Sequence, residues 1–149
     1  MITLHALVIF VSYAAFFCAV VTGVLFLIEE QWLKRKDPRI LRGFGLPLEF
    51  LDRVNRWAVI VGFSLFSVGM LEGLFLARAN WGSFWNGDPK EVWSLLTWGA
   101  YAGVLSLRLT AGLRGRRVVL MSVMSFLLVM FTFVGVNFLI GSGSRHIFF

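Results

Sequence analysis

Long apolar runs separated by short polar segments set the organisation of this chain. Four runs stand out, over residues 4–28, 57–77, 92–113 and 118–140. Each has about 20 residues or more, and a helix that rises 1.5 Å per residue needs about that length to cross a hydrocarbon core of about 30 Å. The pattern therefore predicts an all-α fold, a single membrane domain built as a bundle of four helices.

The composition excludes an ordinary soluble domain. Of the 149 residues, 58% are hydrophobic and only 15% are charged, and the mean hydropathy is +0.82. A soluble domain of this length has too little interior to hide so much apolar surface, so the lipid bilayer is the expected surroundings. We expect a multi-pass protein of the inner (plasma) membrane or of an equivalent organelle membrane.

Basic residues are concentrated in two of the connections between the runs. Eleven of the 14 lie there or at the adjoining helix ends: Lys34, Arg35, Lys36, Arg39, Arg42, Arg53, Arg56, Arg108, Arg114, Arg116 and Arg117. Loops rich in lysine and arginine stay in the cytoplasm. The loop of residues 29–56 is therefore expected inside, whereas the loop of residues 78–91 and both termini are expected on the outer face. Because the charge follows the membrane topology, no nucleic acid is expected as a partner.

Local patterns refine two of the connections. Asp88-Pro89-Lys90-Glu91 places an acid at the N-cap, proline at N1 and glutamate at N3, so the third helix is predicted to begin at Pro89. Residues 29–36 are predicted to continue the first helix, and residues 48–55 to form a separate short helix along the inner interface. Glu72 lies inside the second run, where a carboxylate is either a functional group or one that reaches nearby water.

Aromatic and histidine side chains converge on the predicted outer face. Four of the six tryptophans lie within residues 81–98, and the two histidines, His5 and His146, flank the first and last runs. Neutral imidazoles are axial ligands of haem iron, and tryptophan rings can pack against a porphyrin. Tryptophan is also a common interfacial anchor, and terminal histidines are usually solvated. Two histidines supply only half of a tetrahedral zinc site, which Asp88 or Glu91 would have to complete. Spacing alone leaves these alternatives open.

The order of residues in the tryptophan-rich segment favours one of these alternatives, the haem site. The segment resembles the "WWD" signature, W-G-x-x-W-x-W-D-P-K-E-x-W-x-L-x-x-W, of the cytochrome c assembly family, whose members include CcsA/ResC, CcmC and CcmF. The matching positions are Trp81, Gly82, Trp85, Asp88, Pro89, Lys90, Glu91, Trp93, Leu95 and Trp98. Residues 5–14, 51–81 and 135–139 resemble further segments of the family, so the likeness covers nearly the whole chain.

The resemblance implies a haem site on the outer face. His5 and His146 match the two external histidines that would hold the iron of one haem b from its two sides. The residues implied around the ring are Trp81, Trp85, Asp88, Trp93 and Trp98. Arg78, Lys90 and Arg145 are the basic residues of the predicted outer face, and they suit haem propionates or lipid phosphates equally well.

The sequence also departs from the family pattern. Gly87 stands where relatives carry the third tryptophan, and His146 lies about two residues later than its counterpart. Ser106 occupies the place of a membrane-embedded histidine that serves a second haem in CcsA-type proteins. With four predicted spans in place of six or more, we expect a minimal module that carries the outer haem platform and no transmembrane haem relay.

The expected function is to present or transfer haem on the outer face for cytochrome c maturation. No catalytic residue is required of this chain, although it would serve a system that attaches haem to apocytochrome c. The expected partners are the bilayer, other membrane subunits of a cytochrome c assembly or respiratory complex, and apocytochrome c. Two alternatives stay open, which are a non-catalytic regulatory subunit like the HemX-like branch of the family and a haem-bearing subunit of a larger redox complex.

Cysteine labelling tests the predicted topology. In a background in which Cys18 is replaced by alanine, single cysteines at Met1, Asn86 and Phe149 are expected to react with an impermeant reagent from outside. Cysteines at Lys36 and Arg116 should react only from the cytoplasm, because basic loops are retained there. Labelling of Asn86→Cys from the cytoplasm would contradict the site, since the histidines and the loop would then lie on opposite faces.

Overall fold

The four-helix architecture is confirmed by the computed structural model, which describes residues 2–35, 47–112, 115–136 and 138. The helices are α1 (Ile2–Arg35), α2 (Leu48–Trp81), α3 (Pro89–Leu109) and α4 (Arg116–Met130), and a π-helix over Phe131–Val136 follows α4 directly. The described residues form no strand. The end of the bundle with the start of α1 and residues 82–88 is called the loop end, and the other end is called the basic end.

Two of the helices are much longer than the hydrocarbon core of a bilayer is thick. α1 and α2 have 34 residues each, which corresponds to about 51 Å at 1.5 Å per residue. Among the described residues, these two helices are long and apolar enough to cross a membrane. Membrane spans over α3 and α4, and the side on which each end lies, stay predictions.

The inner connection is partly as predicted and partly different. α1 continues to Arg35, as the pattern of residues 29–36 predicts. The prediction of a separate short helix over residues 48–55 is wrong, because these residues are the first two turns of α2. No proline or glycine lies between Pro47 and Gly62, so nothing interrupts the helix there. Leu51 is only 2% exposed because it packs with Phe26 and Val119. Burial against the bundle therefore keeps this segment in line with the rest of the helix.

Glycines on α2 let α1 approach it closely. A Cβ atom at Gly62 would lie 2.7 Å from the Phe16 ring, and one at Gly69 would overlap the Ile9 side chain. These separations are too short for any larger residue, so the two backbones approach as they do at small-residue contacts between membrane helices. Ser12 adds a hydrogen bond across the contact, from its hydroxyl to the Gly62 carbonyl at 2.9 Å. This contact, with Gly73 and His5 as its last pair, is called the glycine seam.

A buried polar network joins all four helices at the basic end. Arg108 of α3 donates from Nη1 to Asp52 at 3.0 Å and from Nη2 to the Asn55 carbonyl oxygen at 2.6 Å. The Asn55 amide nitrogen donates to the Ala19 carbonyl on α1 at 2.6 Å and lies 3.5 Å from the Ser122 hydroxyl on α4. The Arg108 side chain is 1% exposed, so these partners and not solvent stabilise its charge.

We predict that Arg108→Ala destabilises the bundle far more than Arg117→Ala, its control at an exposed position of α4. Removing one partner of a buried ion pair leaves the other charge uncompensated and costs about 3–5 kcal/mol, whereas an exposed charge is worth about 1 kcal/mol or less. Thermal unfolding of both variants in detergent measures the difference. Equal stability of the two variants would show that the network contributes nothing.

Candidate functional site

A small cleft at the loop end brings together the start of α1, the end of α2 and the loop before α3. Its volume is about 120 Å³. The residues that give it chemical character are His5, Tyr13, Phe84, Trp85, Glu91 and Ser94. It therefore collects one of the two histidines and one of the loop tryptophans at the same place.

His5 reaches the cleft from the first turns of α1. Its imidazole lies against α2, where a Cβ atom at Gly73 would be 3.3 Å from Cε1 and 3.9 Å from Nε2. The Nδ1 atom is buried and lies 3.9 Å from Oε2 of Glu72. The histidine is thus held at a defined place on α2, with a carboxylate on the side of Nδ1.

The loop is fastened to the start of α3 by Glu91. Its Oε2 atom accepts hydrogen bonds from the backbone N–H of Asn86 at 3.0 Å and of Asp88 at 3.4 Å. In return the Asp88 carbonyl accepts from the N–H groups of Glu91 and Val92. The Glu91 carboxylate thus makes one half of a capping box, the bond from N3 back to the N-cap amide, and the third helix begins at Pro89, as predicted.

Gly87 has a conformational reason to be glycine. Its φ of 70° lies in the left-handed region, as does the φ of 76° at Gly82 that ends α2. A side chain at φ near 70° costs about 1–2 kcal/mol. No atom lies within 4 Å of a Cβ built at Gly87. The position where the family carries tryptophan therefore has space for a side chain, but its backbone conformation favours glycine.

The four tryptophans of residues 81–98 face different neighbours. Trp85 lines the cleft, and Trp81, the last residue of α2, is 37% exposed. Trp98 donates from Nε1 to the Ser67 hydroxyl at 2.9 Å, with its ring 5.5 Å from that of Phe63. Trp93 packs edge-on against Phe131 with the ring centroids 4.6 Å apart. The structure therefore brings Trp85 to His5 and directs Trp93 to the π-helix that follows α4 and Trp98 to α2.

The basic residues of the expected site are only partly described. Arg78 lies in the last turn of α2, and its guanidinium carbon is 4.6 Å from the centre of the Phe84 ring. The side chain of Lys90, and all of Arg145 and His146, lie outside the described residues. The second expected iron ligand is therefore not placed. Within the described ranges, no three His, Cys, Asp or Glu side chains group to hold a metal ion, so zinc gains no support.

A porphyrin does not fit inside the cleft as it stands. Pockets that enclose ligands of drug size have volumes of about 300–1,000 Å³, and the cleft has about 120 Å³. The donor set nevertheless suits one edge of a haem, because it offers an imidazole beside exposed aromatic rings. Trp85 is 47% exposed and Phe84 is 42% exposed. The residues present therefore fit one edge of a haem, although the cleft does not enclose the whole group.

Gly73 lines the cleft and Glu72 contacts its histidine, and the sequence pattern assigns neither of them to the site. The sequence marks Glu72 as an intramembrane carboxylate, but no local pattern links it to His5. The signal that connects them is the seam itself, because Gly62, Gly69 and Gly73 meet Phe16, Ile9 and His5 at matching intervals of seven and four residues. That register is visible only once α1 and α2 are paired.

Comparison with known proteins identifies the kind of protein. Residues 1–142 match the family model described as cytochrome C assembly protein. The chain therefore belongs to the cytochrome c assembly protein family, which confirms the resemblance drawn from residues 81–98.

Several curated proteins that resemble this chain are named cytochrome c biogenesis protein CcsA. The protein of Chlamydomonas reinhardtii is 36% identical over 140 residues, which cover 94% of this chain and 38% of the relative. The protein of Prochlorococcus marinus (strain MIT 9215) is 32% identical over 157 aligned residues, covering 93% and 51%. That of Gloeobacter violaceus is 43% identical over 91 residues, covering 61% and 27%. The chain thus spans about half the length of these relatives or less.

We predict that Glu91→Ala loosens the loop while leaving the helices in place. The variant loses the acceptor for the Asn86 and Asp88 amides, and loss of a helix cap costs about 1–2 kcal/mol. Amide exchange at these two residues is therefore expected to speed up by about 5- to 30-fold. Glu91→Gln, which keeps an acceptor oxygen, is the control and should stay close to the wild type. Unchanged exchange in Glu91→Ala would contradict the capping role.

Proposed function

We propose that this chain binds one haem b at the loop end and presents or transfers it for cytochrome c maturation. The proposal rests on one observation, that the fold places His5 and Trp85 in the same cleft beside the tryptophan-rich loop. Membership of the cytochrome c assembly family gives this pairing its meaning. CcsA is by its name a cytochrome c biogenesis protein.

His5 is the proposed iron ligand on one side of the ring. Its imidazole is held against α2, and a fixed imidazole loses little freedom when it binds a metal. His146 is the proposed ligand on the other side, which would give bis-histidine coordination. Its place rests on the family motif, since it lies outside the described residues.

The aromatic residues divide into two proposed roles. Trp81 and Trp85 are exposed at the loop end, where Trp85 lines the cleft, and these two rings are proposed to contact the porphyrin. Trp93 and Trp98, which contact Phe131 and Ser67, are proposed to hold α3 in position beneath the loop. Asp88, which is 8% exposed, is proposed to support the turn that carries Trp85.

Positive charge near the ring edge would receive the propionates. Arg78 is the basic residue whose side chain is described at the loop end, and its guanidinium keeps donors available while it packs on Phe84. Lys90 and Arg145 complete the proposed set by their positions in the sequence. Arginine forms paired hydrogen bonds with carboxylates, so it fixes orientation as well as charge.

Bound haem supplies the group that cytochrome c maturation attaches to an apocytochrome. This chain contributes orientation and iron ligation, and the proposal assigns it no catalytic residue. Because it spans about half of its relatives or less, we propose that other membrane subunits of the assembly system take part, in a plasma membrane or an equivalent organelle membrane.

A second candidate function is a non-catalytic subunit like the HemX-like branch, or a subunit that holds haem within a larger redox complex. The open space at Gly87 and the small cleft favour it, because both leave the ring incompletely covered by this chain. The two candidates differ in haem release. A presenting protein passes haem to an acceptor such as apo-globin, whereas a structural or redox subunit retains it or binds none.

The visible spectrum of the purified protein tests the proposed ligands. Wild-type protein reconstituted with haem is expected to show a six-coordinate, low-spin spectrum. His5→Ala and His146→Ala should each lose haem or change to a high-spin spectrum, because one axial ligand is missing. Added imidazole should restore the low-spin form by filling the vacant position.

Trp57→Phe is the matched control for aromatic changes, because Trp57 is exposed on α2 well away from the loop. It should bind haem as the wild type does, whereas Trp85→Phe should weaken binding by removing aromatic contact worth about 1 kcal/mol. If both histidine variants kept the wild-type low-spin spectrum, the iron would be held by other residues.

A further inference from the structure

We propose that Glu72 and Gly73 are positioning residues that fix the imidazole of His5 on α2. Gly73 provides the space in which the ring lies, and Glu72 sets which ring nitrogen is left for a ligand. The inference rests on the proposed role of His5 as an iron ligand. It extends that role to two residues which the family motif does not include.

Gly73 sets the depth of the imidazole. A methyl group at this position would be 3.3 Å from Cε1 of His5, closer than ordinary van der Waals contact between carbon atoms. The ring would then have to move outward from α2 by a few tenths of an ångström. Gly73 is four residues after Gly69, so both lie on the face of α2 that receives α1. Absence of a side chain at Gly73 is what allows the imidazole to rest on the helix.

Glu72 sets the orientation of the ring. Its Oε2 atom lies 3.9 Å from the buried Nδ1 atom of His5, within ion-pair distance and slightly beyond a direct hydrogen bond. Such contacts shorten when a site binds its ligand, or are bridged by water. A carboxylate on this side favours the tautomer with hydrogen on Nδ1. The lone pair is then on Nε2, which is the nitrogen proposed to bind iron.

This arrangement matches a general feature of metal sites. Histidines that bind metals usually donate from their second nitrogen to a carboxylate or a carbonyl, and loss of that partner typically weakens metal binding 10- to 100-fold. The partner also makes the imidazole a stronger electron donor. Removal of the Glu72 carboxylate should therefore shift the haem reduction potential upward, which a role in packing alone would not do.

Nitrogen NMR of the protein without haem tests Glu72 independently of haem binding. The protein labelled with ¹⁵N-histidine has two imidazoles, and His146→Asn assigns that of His5. At alkaline pH, wild-type His5 is expected to carry its hydrogen on Nδ1. Glu72→Met should shift the hydrogen toward Nε2, and Glu72→Gln, which keeps an acceptor oxygen, should largely restore the wild-type tautomer. Glu49→Met removes an exposed carboxylate at the far end of α2 and should change nothing.

Haem titration with three glycine variants tests Gly73. Gly73→Ala should lower haem affinity about tenfold and increase the high-spin fraction, with recovery of the low-spin spectrum on addition of imidazole. Gly103→Ala is the matched control, because a Cβ atom at this helical glycine meets no atom within 4 Å. Gly69→Ala pushes Ile9 rather than His5, so it should lower thermal stability without an imidazole-reversible change of spin state.

The results separate the two proposals. If the wild-type protein binds no haem but Glu72→Met changes the His5 tautomer, the role of Glu72 stands and the proposed function fails. If the wild type gives a bis-histidine spectrum while Glu72→Met leaves the tautomer, the affinity and the potential unchanged, the role of Glu72 is contradicted. An unchanged spectrum in Gly73→Ala would contradict the role of Gly73 in the same way.

Discussion

The close antiparallel contact between α1 and α2 is the constraint on which the rest of the structure depends. Glycines at 62, 69 and 73 remove the side chains that would hold the helices apart, and larger residues of α1 occupy the space. In a bilayer, where burial of apolar surface between helices gains little over lipid, such close packing is a main source of association. It fixes which residue of α1 faces which residue of α2. The polar network at the basic end then holds α3 and α4 against this pair through Asn55 and Arg108.

Most of the fold could be predicted because hydrophobic periodicity and helix caps are local signals. The apolar runs indicate the helices, and the Asp88–Glu91 pattern predicts the start of α3 at the correct residue. The prediction of a separate helix over residues 48–55 was wrong for a physical reason. Charged residues in that segment resemble a helix that lies on a membrane surface, but Asp52 pairs with Arg108, 56 positions away. No local pattern reports a partner at that distance in the chain.

The site was predictable only in its outline. Residue types and the family motif select His5 and the tryptophans, but the density of tryptophans in a segment does not tell which way each ring points. Trp93 and Trp98 are five residues apart on one helix, which turns them by about 140° from each other. Trp93 therefore contacts the π-helix after α4 and Trp98 contacts α2, so the two rings do not form one surface with Trp85. The pairing of His5 with Glu72 depends on the register of two helices, and a single sequence does not show that register.

The glycine seam makes the length of α1 as important as its composition. His5, Ile9 and Phe16 reach their places on α2 because they are spaced four and seven residues apart along one continuous helix. Deleting one residue between His5 and Ile9 would turn the histidine by about 100° around α1, away from α2. Deleting four residues that include Ile9 would bring the histidine back to within about 40° of its original direction but about 6 Å deeper, in the place of Ile9 beside Gly69 and one turn from Glu72. Chains that keep this site can vary many side chains in that stretch, but they cannot vary the number of residues.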